Sequence, residues 1–366
     1  MRKVCHLTSV HHLYDTRIFY KQCISLAKRY EVVLVGQNGD GLLHEGVMFA
    51  PLAAFPTNRI ARMLWGVPAV IRQAFREKAD VYHIHDPELM PGGWILKLFG
   101  KRVIYDVHED YPRDILGKEW IWPPLRNLIA AVVKLTEAIS FRLFDAVVPV
   151  TEDISRYFKG DKCYIVHNYP RLDLIDVVAS RIKEDGEKPI IYYAGDLSVI
   201  RGVVTLVEAM AMVSSEAELW LAGPWENDSV RSQCENSAGW AKCRYLGKLS
   251  FRDAIATMKS ASIGVVHFKP HGNHFNALPN KAFEYMSCSL PMVLSDFPFW
   301  RQYFGAFGSF YDPMSSKALA EQLDFVLSNW SAEKERAVKA RQFVEDNRSW
   351  EAEEKVLFKM YEKIFG

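Results

Sequence analysis

Between Phe275 and Ser295 the chain reads FNALPNKAFEYMSCSLPMVLS, and within it Lys281 and Glu284 stand three residues apart. Residues at that spacing on a helix are neighbours on one face. Pro279-Asn280, just before them, supplies the breaker and start signals of a helix N-terminus. Free backbone N–H groups, a cation in the first turn and a carboxylate one turn on suit a phosphate carried on a ribose. The phosphate would meet the N–H groups and Lys281, and the ribose hydroxyls would meet Glu284. The same spacing also fits an ordinary amphipathic helix with Ala282, Phe283 and Met286 turned inward. A second turn offers related chemistry. The run PIIYYAG ends in Gly195, where a ligand can approach closely, and Arg201-Gly202 opens the next helix with a guanidinium fork suited to a diphosphate.

Further polar groups follow other apolar runs. His108, with Glu109 and Asp110, ends VIYDVHED; histidine is the commonest general base, and the two acids could bind hydroxyls or cap a helix. Tyr14-Asp15-Thr16-Arg17 opens a helix in which Asp15 or Thr16 serves as N-cap, leaving Arg17 for an acceptor phosphate. His83 and His85 alternate on one strand face with Asp86 beside them. That invites a metal reading, but buried strand histidines with structural hydrogen bonds fit equally, and no metal is expected.

These residues need elements to hold them. In the first half, KVCHLT, EVVLVG, ADVYHIH, RVIYDVH, DAVVPV and CYIVH read as strands, with helices over Arg17 to Lys28, Ile60 to Lys78 and Pro124 to Phe144. The second half repeats the alternation: PIIYYAG, a helix over Val203 to Met212, ELWLAG, CRYLG, a helix over Arg252 to Lys259, SIGVVHF, the Lys281 helix and PMVLS. Strands alternating with helices indicate βαβ units and parallel sheets. The expected fold class is therefore α/β, with two tandem Rossmann-like domains. Residues 1–175 form the first, residues 188–347 the second, and residues 348–366 a helix packing back on the body; the charged run Ser180 to Lys188 is the linker. In open α/β sheets ligands sit beyond the carboxyl ends of the strands. Two such rims, facing each other, would make an active-site cleft.

A chain of 366 residues suits two cores. Its net charge of +1 argues against a general nucleic-acid binder. Six scattered cysteines without CxxC read as free thiols of a cytoplasmic protein. The longest apolar stretch, Leu125 to Val150, is interrupted by Lys134, Glu137, Arg142 and Asp145, so no membrane span is expected. Gly117 to Leu135 nevertheless sets Trp120 and Trp122 among Lys118, Arg126 and Lys134, and Arg59, Arg62, Trp65 and Arg72 add a second basic-aromatic stretch. Such stretches suit docking at the inner face of a membrane; core packing of the tryptophans is the competing expectation.

Together HHLYDTRIFYKQCISLAKRYEVVLVG, DVYHIHDPELM, VIYDVHEDYP, FDAVVPVTEDI, VHNYP, YYAGDLSVIRGVVTLVEAM, LWLAGP, YLGKLS and LPNKAFEYMSCSLPMVLSD resemble the retaining glycosyltransferases of the GT-B fold, family 4 (group 1). The resemblance covers nearly the whole chain. It implies a sugar-nucleotide co-substrate, a UDP-sugar by family frequency, and a glycan or lipid-linked acceptor in bacterial surface polysaccharide or glycoconjugate synthesis. The implied donor site comprises Gly195, Arg201, Gly247, Lys248, Leu278, Pro279, Asn280, Lys281 and Glu284. His108, Asn276 and Glu284 take the catalytic positions, and Asp15, Arg17, Glu109 and Asp110 the acceptor side. Two positions depart from the family pattern: Asn276 stands where a glutamate is frequent, and Asp196 where a basic residue is. No DxD occurs in the chain, so Arg201, Lys281 and the helix dipole would neutralise the leaving group without a metal cofactor. The absence of GxGxxG after the first strand and of GxxxxGK[ST] argues against a dinucleotide oxidoreductase and a P-loop ATPase. A non-hydrolysing sugar-nucleotide epimerase and an inactive scaffold subunit are the alternatives.

Overall fold

The computed structural model describes residues 1–56, 58–118, 121–182, 186–275 and 277–366. Asn276 and Trp120, both singled out above, lie outside the described residues. The chain divides into two compact units: residues 1–168 with 350–366, and residues 169–349. The division falls at Asn168, ahead of the charged run read as a linker.

The first unit is built on β1 (Lys3–Leu7), β2 (Glu31–Val35), β3 (Leu43–His44), β4 (Val47–Phe49), β5 (Val81–Ile84), β6 (Arg102–Val107) and β7 (Ala146–Pro149). They lie in the order β3-β4-β2-β1-β5-β6-β7, parallel except where β3 meets β4. The second unit has β8 (Ile190–Ala194), β9 (Glu218–Ala222), β10 (Cys243–Gly247), β11 (Ile263–Val266), β12 (Met292–Ser295) and β13 (Ser309–Tyr311), ordered β10-β9-β8-β11-β12-β13 and all parallel. Strands such as VVLV and IGVV are buried along their whole length because helices cover both faces. Both sheets are Rossmann-like, and each reverses its winding once, between β1 and β5 and between β8 and β11. Those are the crevices where doubly wound sheets take ligands.

One expected strand is corrected. CYIVH contributes only a bridge from Cys163 to Val147, with the Tyr164 and Val166 amides donating to Val147 and Pro149. The short β3, β4 and β13 had no matching run in the sequence reading. The helix Trp350–Phe365 packs within the first unit: Trp350 Nε1 donates to Ser25 Oγ at 2.9 Å, and Leu357, Met360 and Tyr361 enter its core. All six cysteines are free. No described helix is long and apolar enough to cross a membrane.

Candidate functional site

In the second unit the polar groups gather at the β8–β11 crevice. β8 is followed by Gly195, whose φ of 139° suits glycine, and a Cβ there would lie 3.0 Å from Lys281 Nζ. The chain then turns through Ser198, whose Oγ accepts from the Arg201 amide at 3.1 Å, into Gly202 and the helix Val203–Met212. Gly202 has φ 68°, and a Cβ on it would strike the His267 ring at 1.7 Å. That ring follows β11 and is held by a hydrogen bond between His267 Nδ1 and the Tyr311 hydroxyl. A glycine is thus required on two grounds, backbone conformation and the imidazole beneath it.

The helix Asn280–Ser287 starts after Pro279 in extended conformation, with no described side chain capping it. Ala282, Phe283 and Met286 face the core, as an amphipathic helix requires. Lys281 turns away from that core toward β8. Its Nζ is buried, sits 4.0 Å from the centre of the Tyr193 ring, and makes no hydrogen bond among the described residues. Burial, and after it the neighbouring Arg201 charge, brings the ammonium down to about 7, while Glu284 and Asp196 pull the other way. Arg201 lies over the Phe268 ring at 4.8 Å and reaches Asp196 only at 3.9 Å, so its guanidinium is held by an aromatic face more than by a carboxylate. Two basic side chains with so little direct carboxylate pairing, at the carboxyl ends of parallel strands, leave positive charge of the kind that suits an anion. Gly247 adds a rim position with φ 72° and open space where a Cβ would stand, its carbonyl accepting from Gly223 N at 2.8 Å. Lys248 and Asn280 are exposed, and Leu278 is partly buried against the core.

In the first unit a buried polar cluster occupies the β1–β5–β6 rim. His108 follows β6, and its side chain is 12% exposed. Its Nε2 donates to Asp106 Oδ2 at 3.0 Å, and the His11 ring lies 4.8 Å from it. Asp106 is fully buried and also receives Arg17 through both oxygens (2.6 and 3.0 Å), Gln22 Nε2 (2.8 Å) and His85 Nδ1 (3.1 Å). Burial alone would raise this carboxyl; Arg17 foremost, then His108 and His85, hold it well below the usual carboxylate range. An ionised carboxylate only accepts. His108 therefore carries a proton on Nε2 and turns its Nδ1 edge away from Asp106.

Arg17 requires a correction. It is buried, its guanidinium is spent on Asp106 and on the Val166 carbonyl (2.9 Å), and it cannot receive an acceptor phosphate. Asp15 caps the helix beginning at Thr16 by accepting from the Arg17 and Ile18 amides (2.8 and 2.9 Å), with His11 at 3.4 Å from its other oxygen. Asp110 likewise caps Tyr111–Leu116 and accepts the Tyr157 hydroxyl at 3.1 Å. Glu109 alone of the four acceptor-side residues is exposed, and its carboxylate makes no hydrogen bond or ion pair among the described residues. The reading of the sequence missed Asp106, which sits one position inside a strand and carries no motif of its own.

Comparison with known proteins follows the same division. Residues 16–169 match the model of Glycosyltransferase Family 4, and residues 178–343 that of Glycosyl transferases group 1. Among solved structures, sucrose-phosphate synthase from Thermosynechococcus elongatus superposes with TM-score 0.75 at 15% identity, covering 100% of this chain and 99% of that one. Anabaena HepE in complex with UDP-glucose gives 0.71 at 15% identity, with 99% and 100% covered. A glycosyltransferase from Rickettsia africae gives 0.70 at 14%, with 100% and 98% covered. No curated protein matches the chain by sequence.

Proposed function

Because the chain belongs to the family 4 (group 1) glycosyltransferases of the GT-B fold, we propose that it moves a sugar from a nucleoside diphosphate donor, UDP in particular, to a glycan or lipid-linked acceptor, with retention, in the synthesis of bacterial surface polysaccharide or a related glycoconjugate. The observation that carries the donor reading is the buried Lys281 ammonium beside Arg201 at the carboxyl ends of β8 and β11. A diphosphate supplies the anionic acceptors this lysine lacks, and Glu284, one helical turn on, is the partner for the ribose. HepE, of the same fold, is solved in complex with UDP-glucose, which supports UDP as the nucleotide to try first. Thermal-shift measurement with UDP-, GDP- and ADP-sugars tests the reading: ligand at about 100 times its dissociation constant stabilises by about 2.7 kcal/mol. A chain stabilised by none of them would be a scaffold, and product analysis separates transfer from epimerisation.

With Nε2–H tied to Asp106, His108 offers its Nδ1 edge to a hydroxyl of the transferring sugar, positioning it without attacking it. His108→Ala is expected to lower turnover by roughly 100-fold or more, as loss of a positioned polar group commonly does, and to leave UDP affinity unchanged. Unchanged turnover would move the reaction centre elsewhere. Lys281, Arg201 and the helix start carry the leaving diphosphate in this reading, so activity is expected not to depend on added magnesium or manganese; a requirement for either would sink the metal-free route.

A membrane contact fits the first unit's surface. The helix Pro123–Leu143 exposes Leu125, Leu128, Val132 and Leu135 at helical spacing in one stripe, with Trp122 71% exposed at its start. Lys134 and Arg142 are exposed on it, while Glu137, its one acid, is buried. Trp65 is 69% exposed beside Ile60 and Leu64, so neither Trp122 nor Trp65 is the core residue that the competing expectation required. We expect the protein to sediment with anionic vesicles at low salt and to be released as salt rises, since the attraction is screened beyond about 8 Å at physiological ionic strength. Trp65→Ser with Trp122→Ser should abolish it. Failure of the wild type to sediment would favour a soluble acceptor or a membrane-bound partner.

A further inference from the structure

Three imidazoles line one face of the first sheet beneath His108. The parallel register places His6 of β1 directly beside His83 of β5, and His85, two residues on, shares the face of His83. The ring centres lie 4.7 to 5.1 Å apart. All three side chains are fully buried. Proton positions follow from Asp106. Because that carboxylate only accepts, His85 donates from Nδ1, and its Nε2 must accept from His6 Nδ1 at 2.8 Å. His6 Nε2 is then left with a bare lone pair, and it has no hydrogen-bond partner among the described residues. His83 Nδ1 lies 2.9 Å from the Tyr361 hydroxyl, and its Nε2 is also without a partner among the described residues. Buried imidazole nitrogens in that state cost stability unless something ligates them.

We propose that His6, His83 and His85 bind one transition-metal ion of the zinc and copper class in the core of the first unit. One ring nitrogen from each already lies within 4.8 Å of the other two. Nitrogens about 2.0–2.1 Å from a tetrahedral metal stand roughly 3.3 Å apart, so the rings close in by up to about 1.5 Å and the His6–His85 hydrogen bond gives way to metal bonds. Imidazole ligands suit zinc, copper and nickel, whereas magnesium and calcium prefer oxygen. The outer partners are in place: Asp106 accepts from His85 Nδ1, and the Tyr361 hydroxyl meets His83 Nδ1, as the second shell of a histidine site requires. Burial holds His6 and His83 well below the ordinary histidine range, so both are neutral and ready to ligate. The ion ties β1 and β5 to the Trp350–Phe365 helix through Tyr361. It rests on residues of the first unit and is independent of the donor reading.

Because the nitrogens are buried, the ion enters as the chain folds. The full chain refolded with one equivalent of cobalt(II) is expected to show the visible bands of a tetrahedral site at one ion per chain. Zinc(II) should displace it and raise the melting temperature by several degrees at about 100 times its dissociation constant, while magnesium does nothing. His83→Phe, similar in volume, should lose the bands, and the control His271→Asn with His274→Asn should keep them. Should His83→Phe fail to fold, imidazole nitrogen resonances of the wild type decide: zinc must shift those of the buried histidines. No stoichiometric ion, bands that survive His83→Phe, bands lost in the control, or unshifted buried resonances would each overturn the site.

Discussion

Replacing Arg17 with Met is expected to destabilise the protein by about 3–5 kcal/mol, the cost of leaving one member of a buried ion pair uncompensated. Asp106 is fully buried and takes both guanidinium contacts, and the donors that remain, Gln22, His85 and His108, bear no fixed positive charge. The loss is large against a typical total of 5–15 kcal/mol. Urea denaturation of wild type and variant measures it. The pair also shapes acid stability: the carboxyl's folded value lies below its unfolded one, so its contribution is complete above about pH 4 and disappears as pH falls toward the folded value. Arg17→Met should therefore lose less stability than the wild type on acidification. If Arg17 instead bound an acceptor, the variant would fold with wild-type stability and lose acceptor affinity alone.

The contrast between Arg17 and Lys281 shows what sequence reading can reach. Both stand near a helix start after a strand, and both read as cations free for an anion. Lys281 keeps that reading open, because its buried ammonium makes no hydrogen bond among the described residues and lies against the Tyr193 ring. Arg17 does not, because its partner lies 89 residues away in sequence, inside β6. Short-range signals such as the Asp15 cap, the Pro279 helix start and the glycines after β8 and β10 were legible because the physics that fixes them is local. The alternation of strands and helices was legible for the same reason, down to Val203–Met212 and Trp350–Phe365. Pairing across the sheet is not local. The meeting of Arg17, His85 and His108 at Asp106, and of His6 with His83 and His85, depends on register between β1, β5 and β6, which a single sequence does not display.

The CYIVH segment failed for a related reason. Its β-branched and aromatic content favours a strand, but the first sheet ends at β7, and beyond it the segment makes only the Cys163 bridge and the Val166 amide's bond to Pro149. Helix caps turned two expected acceptor carboxylates, Asp15 and Asp110, into structural groups. That alternative was visible in the sequence, where an aspartate before a helical run is more economically a cap than a ligand.

Lys281→Ala is expected to weaken UDP binding by roughly 10- to 100-fold, the equivalent of the 1.5–3 kcal/mol carried by a hydrogen bond to a charged group. A second measurement ties the effect to this ammonium. In the free protein its value is down to about 7, so at pH 8 it is mostly neutral. A bound diphosphate brings negative charge against it and restores the proton, so wild-type binding at pH 8 should take up close to one proton, and affinity should fall by up to tenfold per pH unit above 7. Titration calorimetry in buffers of different ionisation heat reads that uptake directly. UDP is fully ionised at pH 8, which leaves the protein as the source of the signal. Lys281→Ala should bind weakly with no proton uptake, whereas Arg201→Ala should bind weakly and keep part of it, since the buried lysine remains but loses one of the causes that lowers it. Proton uptake surviving in Lys281→Ala, or wild-type affinity in that variant, would remove Lys281 from the diphosphate site and with it the geometry on which the donor reading stands.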